Sequence, residues 1–326
     1  MLDQKIFRTY YASSTEPLSN LYSSLFLAQE KAWPRLAEGI AALNTVHVRT
    51  LPCDGYTVQV QWNPKRIQST GAKVDAQSIR ERKCFLCMAN LPAEQQGILY
   101  RNDFLLLCNP APIFHHHGTV SHIHHIPQEI EQAFAQLLDL AKDLAPHFTL
   151  FYNGPQCGAS APDHLHFQAS PAGKIPIEQE SLDPGRRKGL KTIGRVRLST
   201  LKNYGRAILV LESEDHSELS SVFLEVSSAI RSAVSAAQEP PLNIICTYTG
   251  DRWRLFVIPR TKHRPDIYFQ EGEEKVLISP ASVDLGGLLI TPLEKDFHRV
   301  TAELVQSVFQ EVTLEQSVFN RIVEQL

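Results

Sequence analysis

Residues 148–169 read FTLFYNGPQCGASAPDHLHFQA. The apolar run 148–152 predicts a β-strand, Asn153-Gly154-Pro155 turns the chain, and 165–169 predicts a second strand. Residues two apart on a strand point to one face. His164, His166 and Gln168 are therefore expected on one side, with Leu165 and Phe167 in the core. Upstream, 118–121 reads as a strand, and Pro127, at a permitted first-turn position, opens a helix running to about residue 144. The order is strand, helix, strand, turn, strand. It recurs as a strand at 207–211, a helix over 216–237, a strand at 242–247, a turn at Thr249-Gly250-Asp251 and a strand at 253–258. Such recurrence predicts an internal duplication. Where the first copy has His164-Leu165-His166, the second has Arg252-Trp253-Arg254, so the chemistry is expected in one half only. The reading gives two units, 1–185 and 186–326, the second a degenerate copy that covers the apolar face of the first.

The rest of the chain frames these units. Residues 18–44 read as a helix with Leu21, Leu25, Leu36 and Ile40 on one stripe, and 56–62 alternates as a strand. The polar stretch 63–83 reads as a long functional loop. Residues 104–108 are an apolar strand, 171–193 with Pro171, Pro176 and Pro184 a linker or lid, and the tail from Pro292 is helical. The composition, 43% hydrophobic and 21% charged over 326 residues, is that of a globular chain with a sizeable core. A net charge of -3 offers nucleic acid or a membrane surface no bulk attraction. An anionic substrate must be held by local donors. Met1-Leu2-Asp3-Gln4-Lys5 lacks the apolar segment of a secretory signal, and no apolar run approaches the ~18 residues of a membrane span. A cytoplasmic protein is expected, and six scattered or paired cysteines do not make a disulfide framework.

His164-Leu165-His166-Phe167-Gln168 is the sharpest chemical signal. An imidazole nitrogen is a competent nucleophile near neutral pH when a hydrogen bond on the other nitrogen fixes the tautomer. His166 is expected to attack a nucleoside phosphate and carry the nucleotidyl group. Gln168 can donate to a phosphoryl oxygen but cannot serve as a base toward water, which favours transfer over hydrolysis. The segment 154–160 supplies backbone N–H groups and the Ser160 hydroxyl. Cys84-Phe85-Leu86-Cys87 is half of a tetrahedral zinc site. His164 is a third ligand, and the fourth is expected among the histidines of 115–125, where His117, His122, His124 and His125 compete. Asn102 and Asp103 are candidates for ribose hydroxyls, with Phe104 or Phe85 against a base. Arg66 and Lys73, and the run Arg260, Lys262, His263 and Arg264, are candidate phosphate or sugar contacts.

Taken together, Cys84-Phe-Leu-Cys87-Met-Ala-Asn90, Asn102-Asp103-Phe104, Asn153 with Gly158-Ala159-Ser160, and His164-Leu-His166-Phe-Gln168 resemble galactose-1-phosphate uridylyltransferase. They are equally similar to the diadenosine-tetraphosphate and GDP-hexose phosphorylases, the glutamine-bearing branch of the histidine-triad superfamily. Asn109-Pro110 and His117-Gly118-Thr119-Val120, ending at His125, resemble the stretch before a family histidine, which singles out His125 as the fourth metal ligand. The resemblance implies an α+β fold of two fused histidine-triad-like halves, with antiparallel sheets and packed helices. It implies His166 as the nucleotidylated residue, Gln168 as phosphate partner, Asn153 and Ser160 on phosphate, zinc on Cys84, Cys87, His125 and His164, and Asn102 and Asp103 near the nucleoside. The implied substrates are a nucleotide or nucleotide sugar and a phosphate or sugar-phosphate acceptor; a homodimer is allowed for but not required. A histidine-triad-type hydrolase and a zinc-stabilised nucleotide-binding protein without turnover are the competing functions. Asp163 departs from the uridylyltransferase pattern, which has proline before its first motif histidine.

Overall fold

The computed structural model describes residues 2–236 and 238–326. Its strands are β1 (Ile6–Tyr10), β2 (His47–Pro52), β3 (Thr57–Trp62), β4 (Gly97–Tyr100), β5 (Phe104–Cys108), β6 (Gly118–His122), β7 (Phe148–Asn153), β8 (His166–Pro171), β9 (Arg187–Ile193), β10 (Val196–Leu201), β11 (Leu209–Ser213), β12 (Leu242–Thr249), β13 (Arg252–Pro259) and β14 (Leu288–Thr291). The longer helices are α1 (Leu18–Ala32), α2 (Pro34–Ala42), α3 (Phe134–Asp143), α4 (His216–Ala233), α5 (Ala302–Val312) and α6 (Gln316–Gln325).

Among the described residues, eleven strands form one sheet in the order β1-β4-β5-β6-β8-β7-β12-β13-β11-β10-β9. Outward from its centre, β7-β8-β6-β5-β4 on one side is matched by β12-β13-β11-β10-β9 on the other, which is the duplication expressed as strand order. The seam is the antiparallel pair β7–β12, with Asn153 opposite Asn243 and Phe151 opposite Ile245. Over it α3 and α4 meet, with Phe134 and Phe223 stacked at 3.7 Å between ring centroids. The fold is α+β, with two histidine-triad-like halves and packed helices. The exceptions to antiparallel pairing are β1 on β4 and β14 on β3.

Period-two alternation separates two cores. Leu106, Val120, Leu150, Phe167, Ile244 and Leu255 face the layer of α1, α3, α4 and α6. Phe151, Val210, Ile245 and Phe256 face a second layer containing Val58, Val60, Leu288, Leu289 and, from α5, Phe309. That layer includes the three-stranded sheet β14-β3-β2, built from both ends of the chain. Gly118 on β6 permits α1 to lie close: a Cβ there would sit 1.6 Å from the Tyr22 hydroxyl oxygen, and that hydroxyl donates to the Leu107 carbonyl at 2.9 Å.

Several expectations are corrected. The second copy does not cover the face of the first; it extends the sheet edge to edge, because pairing β7 with β12 satisfies two open edges at once. The helix expected over 18–44 breaks at Trp33, held extended by the following Pro34, which then opens α2. Pro127 does not open a helix; α3 begins at Phe134. Residues between them stay irregular because the buried Gln128 carboxamide ties the sheet, donating to the carbonyls of Asn153 (2.9 Å) and His166 (3.0 Å). The polar stretch 63–83 holds short helices, Ile67–Thr70 and Ala76–Glu81. The region 171–193 is neither linker nor lid, since it contains the helix Pro176–Glu180 and strand β9. α4 ends at Ala233; Ala237, the expected helix end, lies outside the described residues.

Counted back from the proline that ends each strand, Pro171 in β8 and Pro259 in β13, Arg254 stands where His166 does and Trp253 where Leu165 does. Trp253 is buried in the helix-side core and its indole N–H donates to the Leu138 carbonyl at 2.9 Å. Arg254 Nε donates to Glu212 at 2.8 Å, and Arg187 to the other carboxylate oxygen at 2.7 Å. An ion-pair knot thus stands at the position of His166. Burial alone would raise the Glu212 pKa, but Arg187 and Arg254 outweigh it and hold the carboxyl at about 2 against an ordinary 4.5. The sign follows: the stabilisation is complete above pH ~4.5 and is lost as pH falls toward 2, a contribution on the order of 3 kcal/mol. Glu212→Gln is expected to flatten the Tm-versus-pH curve over that window relative to wild type, as read by calorimetry; parallel curves would show that the knot does not carry acid sensitivity.

Candidate active site

His166 and Gln168 project from β8 on the face opposite Phe167, into a cavity of ≈ 620 Å³. Its wall includes Asn153, Gly158 and Ser160 from the turn after β7, Arg66 and Lys73 from the polar stretch, and Ser279 to Asp284 in part from the second half. Arg35, Arg66, Lys73 and Arg82 line it against one acid, Asp284, so the site favours an anion although the whole chain carries a net charge of -3.

The buried His166 imidazole is oriented by its Nδ1–H, which donates to the His164 carbonyl at 2.8 Å. That bond fixes the tautomer and leaves the Nε2 lone pair for the cavity. Burial, more than any other influence, lowers the His166 pKa to about 4 and keeps the ring neutral. The His166 backbone N–H donates to Gln128 Oε1 at 2.7 Å, clamping this point of the strand.

Two of the side-chain amides that line the cavity, Asn153 and Gln168, are held from behind. Asn153 Oδ1 accepts from Asn243 Nδ2 (2.9 Å) and the Ser282 N–H (2.9 Å), while the Ser282 hydroxyl donates to the Tyr152 carbonyl at 2.7 Å. Two N–H donors converging on one atom identify it as oxygen, so the NH₂ group is presented to the cavity. Asn243 is in turn fixed by Arg260 Nη1 at 2.6 Å. Gln168 Oε1 lies 2.9 Å from His117 Nε2. Ser160 is half-buried on the same wall.

Beside this cavity Cys84, Cys87, His125 and His164 bring one ligand atom each within 4.8 Å of one another. Sγ of Cys84 lies 3.3 Å from Nδ1 of His164, and Sγ of Cys87 lies 3.2 Å from Nδ1 of His125. Bonds of ~2.3 Å to sulfur and ~2.0 Å to nitrogen at a tetrahedral angle require about this separation. His164 Nε2 donates to the His122 carbonyl at 2.8 Å, freeing Nδ1 to ligate. Burial raises the Cys84 thiol's pKa, but the contact with His164 outweighs it and draws it down to about 6. Burial and the neighbouring Cys84 push Cys87 up to about 11. Two thiolates that repel each other in a shared pocket are the pairing that a bound dication relieves. Asp163, the departure from the family pattern, pairs with Arg82 and approaches His125 Nε2 at 3.6 Å, giving that ligand its outer partner.

The structure therefore brings His166, Gln168, Asn153, Ser160 and Arg66 around one cavity and gathers Cys84, Cys87, His125 and His164 beside it. His164 lies before β8, which starts at His166, and turns to Cys84 and Cys87 rather than sharing the strand face of His166 and Gln168. Asn102 and Asp103 do not line the cavity. Positive φ at Arg101 and Asn102 makes them the tight turn joining β4 to β5, at the end of β5 opposite the cavity-lining Cys108. Of the two candidate aromatics, Phe85 lines the cavity, while Phe104 is in the helix-side core. The basic run does not reach the cavity either. Arg260 is fully buried and bonds the carbonyls of Val312, Pro280, Lys262 and His263 besides Asn243, and Lys262 pairs with Asp266 and Glu311. Arg264 holds the polar stretch through the Thr70 and Ala72 carbonyls. Trp33, Thr119 and Asp284 also line the cavity, but no motif spacing marks them.

Residues 25–171 match the family described as "Domain of unknown function (DUF4922)", and residues 180–326 match "GDPGP1-like, C-terminal domain". No curated protein matches the sequence significantly. Among solved structures, yeast Ap4A phosphorylase Apa2 in complex with AMP is similar in fold, with a TM-score of 0.60 at 16% identity, covering 92% of this chain and 97% of that one. The same yeast enzyme in complex with Ap4A gives a TM-score of 0.53 at 16% identity, over 87% of this chain and 97% of that one.

Proposed function

We propose that the chain is a histidine-triad-like protein of the galactose-1-phosphate uridylyltransferase branch and a nucleotidyl-transferring phosphorylase working through a nucleotidyl-histidine on His166. The observation that carries the proposal is the His166 ring, with Nδ1 committed to the His164 carbonyl and Nε2 open to an anion-favouring cavity beside two amide donors. Nε2 attacks the α-phosphorus of a dinucleoside polyphosphate or nucleoside diphosphate sugar. A P–N bond forms as the P–O bond to the departing nucleoside polyphosphate or sugar phosphate breaks. The NH₂ groups of Gln168 and Asn153 and the Ser160 hydroxyl hold the non-bridging oxygens, and Arg66 and Lys73 balance charge on the departing phosphates. An oxygen of inorganic phosphate or of a sugar phosphate then attacks phosphorus from the vacated side, and the P–N electron pair returns to Nε2.

Zinc on Cys84, Cys87, His125 and His164 is part of the proposal; when bound it supplies a cross-link fixing the chain before β8. The catalytic unit is assigned to 1–185 and the degenerate copy to 186–326, with residence in the cytoplasm. Among the described residues no helix is long and apolar enough to cross a membrane, and all six cysteines are free.

Exposure of the protein to labelled dinucleoside tetraphosphates and nucleoside diphosphate sugars, with and without phosphate, tests the reaction. The expected result is a one-nucleotidyl mass increase on the peptide containing His166, discharged on adding phosphate. Release of product into water at the same rate without phosphate points to a hydrolase, and saturable binding with neither outcome points to a protein without turnover.

A further inference from the structure

We propose that His117 is a positioning residue that holds the Gln168 carboxamide with its NH₂ group toward the transferred phosphoryl group. The inference rests on the proposed phosphoryl transfer for its consequence and on hydrogen bonding alone for its geometry. His117 is buried behind the cavity wall, on the short segment entering β6. Its Nδ1 accepts the Ile113 backbone N–H at 3.1 Å. A backbone N–H can only donate, so Nδ1 carries no proton and Nε2 must carry it. Nε2–H therefore donates to the Gln168 side-chain atom 2.9 Å away, and that atom is the oxygen. The remaining half of the amide, two N–H donors, turns to the cavity.

The opposite arrangement is internally inconsistent. With the Gln168 NH₂ group turned to His117, Nε2 would have to accept, Nδ1 would hold the proton, and it would meet the Ile113 N–H donor to donor. A doubly protonated ring meets the same conflict, and burial, with Arg66 nearby, keeps the ring neutral by lowering its pKa to about 3. The main-chain N–H of Ile113 thus decides, through one imidazole, which end of Gln168 a phosphoryl oxygen meets. An amide oxygen there would repel the developing charge that an amide N–H stabilises. Fixing the amide also leaves it no acceptor to aim at an incoming water, in keeping with transfer rather than hydrolysis.

His117→Asn and His117→Gln separate this role from a packing role. The asparagine oxygen can still accept from Ile113 N–H but is too short to reach Gln168, whereas glutamine extends an N–H₂ group to about the place of Nε2. His117→Asn is expected to lower kcat by roughly 10–100-fold with KM within about threefold of wild type. His117→Gln should restore most of the loss, and His117→Asn should cost little further in a Gln168→Ala background. In wild type without substrate, ¹⁵N spectra of the His117 side chain should show protonated Nε2 and bare Nδ1. The opposite tautomer overturns the proposal whatever the enzyme's substrate. So do equal losses in the asparagine and glutamine variants, an unchanged kcat in His117→Asn, or an undiminished loss in the Gln168→Ala background. Absence of turnover in wild type with the expected tautomer would instead sink the proposed reaction and leave the positioning geometry standing.

Discussion

His166→Gly is expected to lower nucleotidyl transfer by on the order of 10⁴-fold or more while leaving the protein folded. The large kinetic effect follows from the role assigned to the ring, whose Nε2 forms the P–N bond. Gln168 and Asn153 offer amides, and Ser160 has no base shown beside it to take its proton. The structural cost is expected to be small for a buried residue. The ring already borders the ≈ 620 Å³ cavity, so its removal enlarges an existing space instead of opening a sealed void. The backbone ties survive, since Gln128 still accepts from the residue 166 N–H and donates to its carbonyl. The one bond lost is from Nδ1 to the His164 carbonyl, worth about 1 kcal/mol. Rapid-quench measurement of adduct formation and calorimetry on one preparation would separate the effects. A folded variant turning over within tenfold of wild type would remove His166 as nucleophile.

The candidate site residues are legible in the sequence because their spacing carries the signal. Cys84 and Cys87 announce a metal in any fold, and the period of two in β8 puts His166 and Gln168 on one face whatever lies behind them. The repeated element order held because each half must alternate apolar residues to lie between two layers, and the outcome is the matched strand order about β7 and β12. What lay hidden is the set of long-range partners. Nothing near Gln128 in sequence says that its amide will replace a helical turn by clamping His166. Nothing in the run from Arg260 distinguishes a phosphate ligand from a buried strut fixing Asn243, and so Asn153. Asn102 and Asp103 misled for a related reason: the same dipeptide that can reach a ribose also tolerates positive φ, and here the turn claims it. His117 lies outside the Cys84/Cys87 cluster, and only its contact across the sheet with Gln168 points to the positioning task proposed for it. Such partners are set by register, and register depends on residues far along the chain.

Loss of the metal is expected to weaken both stability and turnover, through a single residue. His164 directs Nδ1 to the Cys84/Cys87 cluster, Nε2 to the His122 carbonyl and its own backbone carbonyl to His166 Nδ1. A cation on Cys84, Cys87, His125 and His164 therefore anchors the same residue that sets the nucleophile's tautomer. Protein prepared without chelator should contain close to one zinc per chain, with absorption spectra giving Zn–S near ~2.3 Å and Zn–N near ~2.0 Å. Cys84→Ser with Cys87→Ser should abolish binding and lower Tm by on the order of 10 °C, because the ties among residues 84–87, His125 and His164 are then left to weak hydroxyl contacts. Turnover should fall as well, in kcat more than in KM, since the cavity donors are untouched while the His164 carbonyl gains freedom. Chelation followed by zinc should reverse both changes in wild type and neither in the double variant. A metal-free wild-type protein whose Tm and kcat equal those of the double variant, and do not respond to zinc, would show that the four residues converge without holding an ion.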